Sequence, residues 1–513
     1  MSRTSRNGGR ARGRAGGYDT IVVGGGPAGA VMAWALATRG LRVLVLDRAT
    51  FPREKVCGDF VEPRGLSIFQ TMGCLSHLEA TGPLAITHVN LLLNGRSAYR
   101  EHIPFYANQS ELPQHGYIIP REELDQRILA SAEEAGAHVQ MGCHVSRVER
   151  ADGVMTVHYR DSAGDRSVTA PIVVGADGTH SVVARSFKLL VDDPRYMAVS
   201  QRAYVEGIDT KYGEAAFVFD RDLFPGYGWM FPMTNGRANV GVGILAETRD
   251  RYKTSVPRLF ATFLQKLAAM HPGCRNMRLA SKPIGGIVKT YGGHGPNHFD
   301  GGILIGDAGC FVDPMTGEGI TPAAESALLG ATVIASALER GRTDAATLSE
   351  YERRFRAYFD PAMCYLDFVA CVMRNRHFGP YWLGVVSRGC EMAMKDRTFA
   401  RLSGAAFGGL DVRPIDIVSR MWAKSAGLLT GDWERLANGI VNGKLATNVS
   451  MLGDMGRWST GWWGSLAEDP SWHGRWMTEV GRKWLSLATT TRLRDPRAQG
   501  TVHLRLKELR ASG

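Results

Sequence analysis

The sequence predicts an α/β chain. A parallel sheet with an antiparallel meander comes first, a second antiparallel sheet is inserted into it, and a helical C-terminal region follows. Three observations predict this. Short β-branched apolar runs at Ile21-Val22-Val23, Ile172-Val173-Val174 and Ile303-Leu304-Ile305 are each followed by glycine, the signature of strands buried on both faces. Residues 196–243 read as strand after strand without a helix: AVSQRAYVEGI, AAFVFD, YGWMFP, ANVGVGI. Beyond residue 345 the apolar spacing becomes helical.

The first unit spans residues 18–47. After its opening strand, Gly24, Gly26 and Gly29 fall at the G-x-G-x-x-G spacing, and a helix is expected from Pro27-Ala28 to Thr38, stopped by Gly40. A second apolar run ends in Asp47, with Arg48 next. Gly24 permits the tight turn, Gly26 lets backbone approach a pyrophosphate, and Gly29 lets helix and strand pack closely. The helix N-terminus offers free N–H groups to phosphate, and Asp47 is placed to accept from an adenosine ribose. A cleaved secretory leader fits poorly, because the apolar stretch contains Gly24–Gly26 and Pro27. The unit reads as a Rossmann-like dinucleotide site.

The next stretch, FPREKVCGDFVEPRG, is a loop ending in a helix at about Arg64, and residues 86–106 look like strands. Ile119-Pro120-Arg121 opens a helix with acids in its first turn. Residues 137–174 read as an antiparallel meander turning at Asp152-Gly153, and residues 256–271 as a helix. The expected division is a discontinuous nucleotide domain (18–85, 115–190, 285–344), a substrate domain (86–114, 191–284), a helical region (345–481) and basic tails (1–17, 482–513).

Composition narrows the class. At 513 residues and 44% apolar, the chain can hold two or three domains. No long apolar run is free of glycine and charge, so a spanning helix is not expected. The eight cysteines form no C-x-x-C, and a reducing, cytoplasmic setting is the default. The net charge of +11 divides into +5 in residues 1–17 and +6 in 482–513, leaving the body neutral. Solvated tails are the simpler reading of that charge; attraction to an anionic membrane or to nucleic acid is the other. With a neutral body and no nucleic-acid motif, nucleic acid is not expected as a partner.

Two further signals follow in order: Gly175-Ala176-Asp177-Gly178, and Gly306-Asp307 with Pro314 and Thr316-Gly317-Glu318-Gly319-Ile320. Together with the first unit they resemble FAD-dependent oxidoreductases of the para-hydroxybenzoate hydroxylase type. The resemblance covers residues 18–340. It implies that Asp307 contacts the flavin ribitol and that the helix opening at Gly317, Gly319 and Ile320 points at the flavin pyrimidine. It also implies a cofactor role for Asp177 and a place for Arg121 near the phosphates. Within that group, FPREKVCGD (51–59), the aromatic motif with Tyr227, Trp229, Phe231 and Pro232, and Asn239-Val-Gly241-Val-Gly243 resemble the geranylgeranyl reductase family. Many members carry Asn where Asp313 stands and Lys where Met233 stands, and the C-terminal extension is longer than typical.

The resemblance implies FAD as cofactor, NAD(P)H or a reduced electron carrier as donor, and reduction of a C=C bond in a hydrophobic isoprenoid or polyene. Hydride delivered to one alkene carbon requires a proton at the other, and Cys57 and Asp59 are the candidate acids. The alternative for Asp59 is a cap on the following helix. Tyr227, Trp229 and Phe231 alternate along a strand and share one face, either as a substrate wall with Pro314 or as plain core. A monooxygenase is the second reading. A halogenase is the third and lacks the expected Lys within 225–233. A non-enzymatic flavin-binding role is the last. Finally, Trp476, Val480, Trp484 and Leu487 form a helical stripe that either packs on the body or rests on a membrane surface. Oligomeric state is not legible.

Overall fold

The computed structural model describes residues 17–103, 112–209, 213–378 and 461–490, with scattered positions between 383 and 395. The basic segment 1–16, residues 401–460 and the tail from 491 lie outside the described residues.

A six-stranded sheet runs in the order His298–Phe299, Gly302–Leu304, Ile172–Gly175, Thr20–Val23, Val43–Leu46, His138–Gln140. All its pairs are parallel except the first. The three apolar runs thus lie side by side. Their carboxyl ends open together at Gly24, Gly175 and Gly306, the topological switch point where ligands bind in such sheets. The helix Pro27–Ala37 is buried along its whole length, because it packs between the helices Arg121–Glu134 and Ile320–Glu339. An all-round apolar sequence suits that position. Ile320–Glu339 is long and apolar enough to cross a membrane, yet 83% of its most apolar window is buried inside the protein.

The meander consists of His144–Ala151, Val154–Asp161 and Gly164–Ala170, and its first turn has positive φ at Asp152 and Gly153. It is shorter than the sequence reading. His138–Gln140, expected at its start, instead pairs parallel with Val43–Leu46 as the sixth strand of the first sheet. A three-residue strand has too little alternation to reveal which sheet it joins.

The inserted sheet has the order Arg278–Leu279, Met197–Glu206, Arg237–Leu245, Tyr227–Pro232, Glu214–Phe219, His88–Leu93, Arg96–His102. Ile284–Lys289 also pairs along Met197–Glu206. One face is sealed by the helix Val256–Met270, whose Phe263 ring fills the space over Gly228. The other face looks toward the first sheet and the helix Ala345–Met373. Its register sets three cross-strand rows: Ser200–Gly243–Tyr227, Arg202–Gly241–Trp229 and Tyr204–Asn239–Phe231. Because side chains alternate by two, all three rows present the same face.

The C-terminal helix Pro470–Thr490 lies on the body. Trp476 and Leu487 of the expected stripe are buried, and Trp476 Nε1 donates to Cys371 O at 2.8 Å. The same side carries Glu479, paired with Arg374 at 2.7 Å, and Lys483, paired with Asp367. Arg374 also reaches Glu247 at 2.8 Å. Trp484 is a departure from the stripe reading: it is 46% exposed, on the outer side with Met477 and Leu485. The inward side of the helix therefore joins apolar residues with an ion-pair network.

Candidate active site

A cavity of about 750 Å³ runs from the glycine turn to the aromatic strand of the inserted sheet. At the first end, Gly24 has φ +103°, and a Cβ there would lie 2.3 Å from Ala176 O. A Cβ on Gly29 would lie 1.8 Å from Gly24 O, so both positions exclude any side chain. Asp47 is buried, its Oδ2 accepting from Gly25 N at 2.6 Å and its Oδ1 from Ala49 N at 2.7 Å. Each carboxylate oxygen keeps a second lone pair for a ligand hydroxyl. No side chain caps the helix at Gly26, which leaves its N-terminal N–H groups toward the cavity, with Pro27, Ala28 and Arg48 also lining it. Cradle, uncapped helix end and acid acceptor fit the ADP half of FAD.

Arg53 is a cavity-lining cation that the sequence did not single out. Its guanidinium lies 3.4 Å from where a Gly26 Cβ would stand and 3.0 Å from Asp125. It is therefore a cation beside the glycine turn. Its only signal was its place in the loop directly after the acid strand. Arg121, expected near the phosphates, lines the cavity, is held bidentate by Asp125 (2.7 and 2.7 Å), the same acid that Arg53 meets, and lies against the Cys57 thiol. Asp177 lines the cavity, but its carboxylate is engaged in local structure. It accepts from Ser181 Oγ at 2.5 Å and from Val182 N at 2.6 Å, holding the short helix Val182–Ser186.

At the flavin end, Gly306 has φ +57° and lies against Ala28, which brings Asp307 to the cavity. Lys55 Nζ stands 3.4 Å from Asp307 Oδ2. The segment Gly317–Ile320 lines the cavity where the helix Ile320–Glu339 begins; Glu318 Oε1 accepts from Thr321 N at 2.8 Å. Beneath it sits a buried acid cluster around Arg64, which is 2.8 Å from Glu325 and 3.6 Å from Glu62. Burial pushes the Glu62 carboxyl up to about 7, against the pull of Arg64. Asp313 is also raised by burial, although Met315 N and Thr316 N donate to it at 2.7 and 2.9 Å.

Tyr227, Trp229 and Phe231 line the cavity together with Phe217 and Pro314. The three rings succeed each other at 6.1 and 6.4 Å between centroids. Gly241 in the next strand makes this possible, since a Cβ there would stand 2.2 Å from the indole of Trp229. Tyr227 OH donates to Thr316 O, tying the wall to the loop at the flavin end. The loop Cys57-Gly58-Asp59 is seated on the wall, where a Cβ on Gly58 would stand 2.9 Å from the Phe231 ring.

Asp59 is fully buried with φ +63°. It caps no helix. Its Oδ2 accepts from Tyr204 OH at 2.6 Å and from Asn239 Nδ2 at 2.8 Å, while Oδ1 has no partner. Burial raises this carboxyl to about 6, opposed by the two donors and by the Arg202 and Arg121 charges. Burial also raises the Cys57 thiol, whose sulfur accepts from Asp59 N at 3.3 Å. Both candidate acids therefore line the cavity beside the aromatic wall, and both are biased toward their protonated forms.

Residues 17–271 match the family model described as FAD binding domain. The chain is 31% identical over 360 residues to digeranylgeranylglycerophospholipid reductase 2 of Methanopyrus kandleri, covering 68% of this chain and 84% of that protein. It is 35% identical over 330 residues to menaquinone reductase of Mycolicibacterium smegmatis, covering 62% of this chain and 76% of that one. Among solved structures, a geranylgeranyl bacteriochlorophyll reductase-like protein from Thermoplasma acidophilum superposes with a TM-score of 0.62 at 22% identity, over 72% of this chain and 91% of the other.

Proposed function

From the premise that the chain belongs to the geranylgeranyl reductase family of FAD-dependent oxidoreductases, we propose that it saturates a C=C bond in an isoprenoid-type hydrophobic substrate. Supporting this reading is the meeting, in one cavity, of a dinucleotide cradle, an aromatic wall and two candidate acids, the buried Asp59 and the part-buried Cys57, both shifted upward by desolvation. Bound FAD, once reduced by NAD(P)H or an electron carrier, supplies the hydride. The protein's residues do the rest. Tyr227, Trp229 and Phe231 hold a flat apolar chain by contact alone, which suits a polyprenyl group. The Cys57-Gly58-Asp59 loop supplies the proton. Ala370 and Met373 of the helix Ala345–Met373 add apolar lining to the same cavity.

The proposed division of labour follows the two sheets: 18–85, 115–190 and 285–344 hold FAD, and 86–114 with 191–284 hold the substrate. We also place the enzyme in the cytoplasm at a membrane surface. The outward Met477, Trp484 and Leu485, followed by a C-terminal segment with net charge +6 from residue 482, support that placement.

The deciding experiment is anaerobic incubation of the dithionite-reduced protein with polyprenyl substrates, repeated in air. Product gaining two hydrogens without oxygen is expected; product appearing only in air would replace reduction by oxygen insertion.

A further inference from the structure

We propose that Asp59 Oδ1 is the atom that delivers the proton, with Tyr204 and Asn239 as its positioning residues and Tyr204 as the route by which the proton is replaced. The inference rests on the reductase reading above and assigns the proton within it.

The hydrogen-bond network fixes the assignment by donor and acceptor rules. Trp229 Nε1 is only a donor, and it meets Asn239 Oδ1 at 3.0 Å. That contact locks the orientation of the amide, so the other end is Nδ2, a pure donor. Nδ2 meets two acceptors, Cys57 O at 2.9 Å and Asp59 Oδ2 at 2.8 Å. Tyr204 OH, at 2.6 Å, donates to the same Oδ2. With two donors on Oδ2, the acidic hydrogen of Asp59 resides on Oδ1. Among the described residues Oδ1 is buried with no hydrogen-bond partner, and Asp59 lines the cavity beside the aromatic wall.

The register explains why these groups meet. Tyr204 and Asn239 are direct cross-strand partners, and Phe231 is the next residue in the row. The acid is thus held by the same strands that form the wall, and Trp229 both touches the substrate space and fixes the amide that fixes the acid. The charged and titratable groups facing Asp59 are Arg202 and Tyr204 from one strand, Arg121 from the helix Arg121–Glu134, and Cys57 from its own loop. Arg202 is engaged at 2.9 Å by Glu54 and lies 4.5 Å from the Tyr204 ring. Of the two donors on Asp59 Oδ2, Asn239 is fully buried and Tyr204 only half-buried, so Tyr204 is the one that reaches toward solvent.

The step balances as follows. The O–H bond of Asp59 breaks and a C–H bond forms at one alkene carbon, while the other carbon takes hydride from the reduced cofactor. The alkene gains two hydrogens and two electrons, and the cofactor is left oxidised. The Asp59 carboxylate that remains is stabilised by the Tyr204 and Asn239 donors until a solvent proton restores the acid.

The test uses the full-length, FAD-loaded enzyme and its D59N and Y204F variants, in anaerobic single turnover with a polyprenyl alkene. Infrared difference spectra of the buried carboxyl band are recorded on the same proteins without substrate. D59N is expected to lose at least a hundredfold in product formation while still accepting electrons from dithionite, and to lose the carboxyl band. In the wild type that band should titrate near 6, and product formation should fall as pH rises through the same value. Tyr204 donates to the carboxylate, so Y204F should move both midpoints to higher pH, which a merely structural role would not do. A wild-type rate in D59N, or unmoved midpoints in Y204F, overturns the assignment. Wild-type enzyme that yields no hydrogenated product overturns the reductase reading, and the delivery step falls with it.

Discussion

The aromatic wall depends on one missing methyl group, and Gly241→Ala measures that dependence. The added Cβ would stand 2.2, 2.6 and 2.6 Å from Cζ2, Cε2 and Cη2 of Trp229. Carbon–carbon contact settles near 3.5–4.0 Å, so the indole must retreat by about 1.5 Å. It has nowhere free to go. Trp229 is 7% exposed and lies between Tyr227 and Phe231. Overpacking of this kind costs about 1–3 kcal/mol, and losing the indole bond to Asn239 adds about 1 kcal/mol. The expected loss is therefore about 2–4 kcal/mol, together with a raised KM, because the displaced ring leaves the wall uneven. Urea unfolding and near-ultraviolet circular dichroism report the two effects. The three clashing atoms all belong to the six-membered half of the indole, so Trp229→Phe removes the clash. Gly241→Ala should accordingly cost much less in a W229F background, a coupling of at least about 1 kcal/mol in a double-mutant cycle. Strictly additive variants would refute the packing argument.

Three further outcomes are expected. Gly29→Ala drives a Cβ into Gly24 O and should yield protein that folds but loses its yellow colour on gel filtration; full flavin retention, read from the ratio of visible to protein absorbance, would contradict the cradle. Arg374→Met removes the cation shared by Glu479 and Glu247, at a cost of about 1.5–3 kcal/mol because Glu479 keeps Arg195 and Lys483 and Glu247 keeps Trp472, and should make residues 470–490 the first site of limited proteolysis. An unchanged cleavage pattern would mean that apolar contacts alone hold that helix. Glu62 has a folded-state carboxyl raised to about 7, so the folded protein keeps a proton that the unfolded chain releases near the ordinary glutamate value. Stability from this group is full below about 4.3, declines as pH rises through about 7, and is flat above. Urea midpoints should therefore fall between pH 5 and 7.5 and fall less in Glu62→Gln; an identical slope in the variant would show that another group carries the effect.

The sequence by itself determined the parallel sheet, the glycine cradle with Asp47, the return to Asp307, and the alternation of Tyr227, Trp229 and Phe231. These are local facts. A turn that excludes a Cβ, a run buried on both faces and a period of two are each written within a few neighbouring residues. Arg53, Tyr204 and the buried side of the C-terminal helix were not legible, because nothing next to them in the chain gives their partners. Arg53 meets Asp125, 125 being far along the chain; Tyr204 meets Asp59 through strand register, and Lys483 meets Asp367. Arg121 was placed near phosphate by the family resemblance; the fold shows that Asp125, one turn later, also holds Arg53 from the remote loop. Which charges neutralise one another, and which oxygen of an acid stays free, is decided by distances between strands and helices remote in sequence. Only the tertiary structure sets those distances.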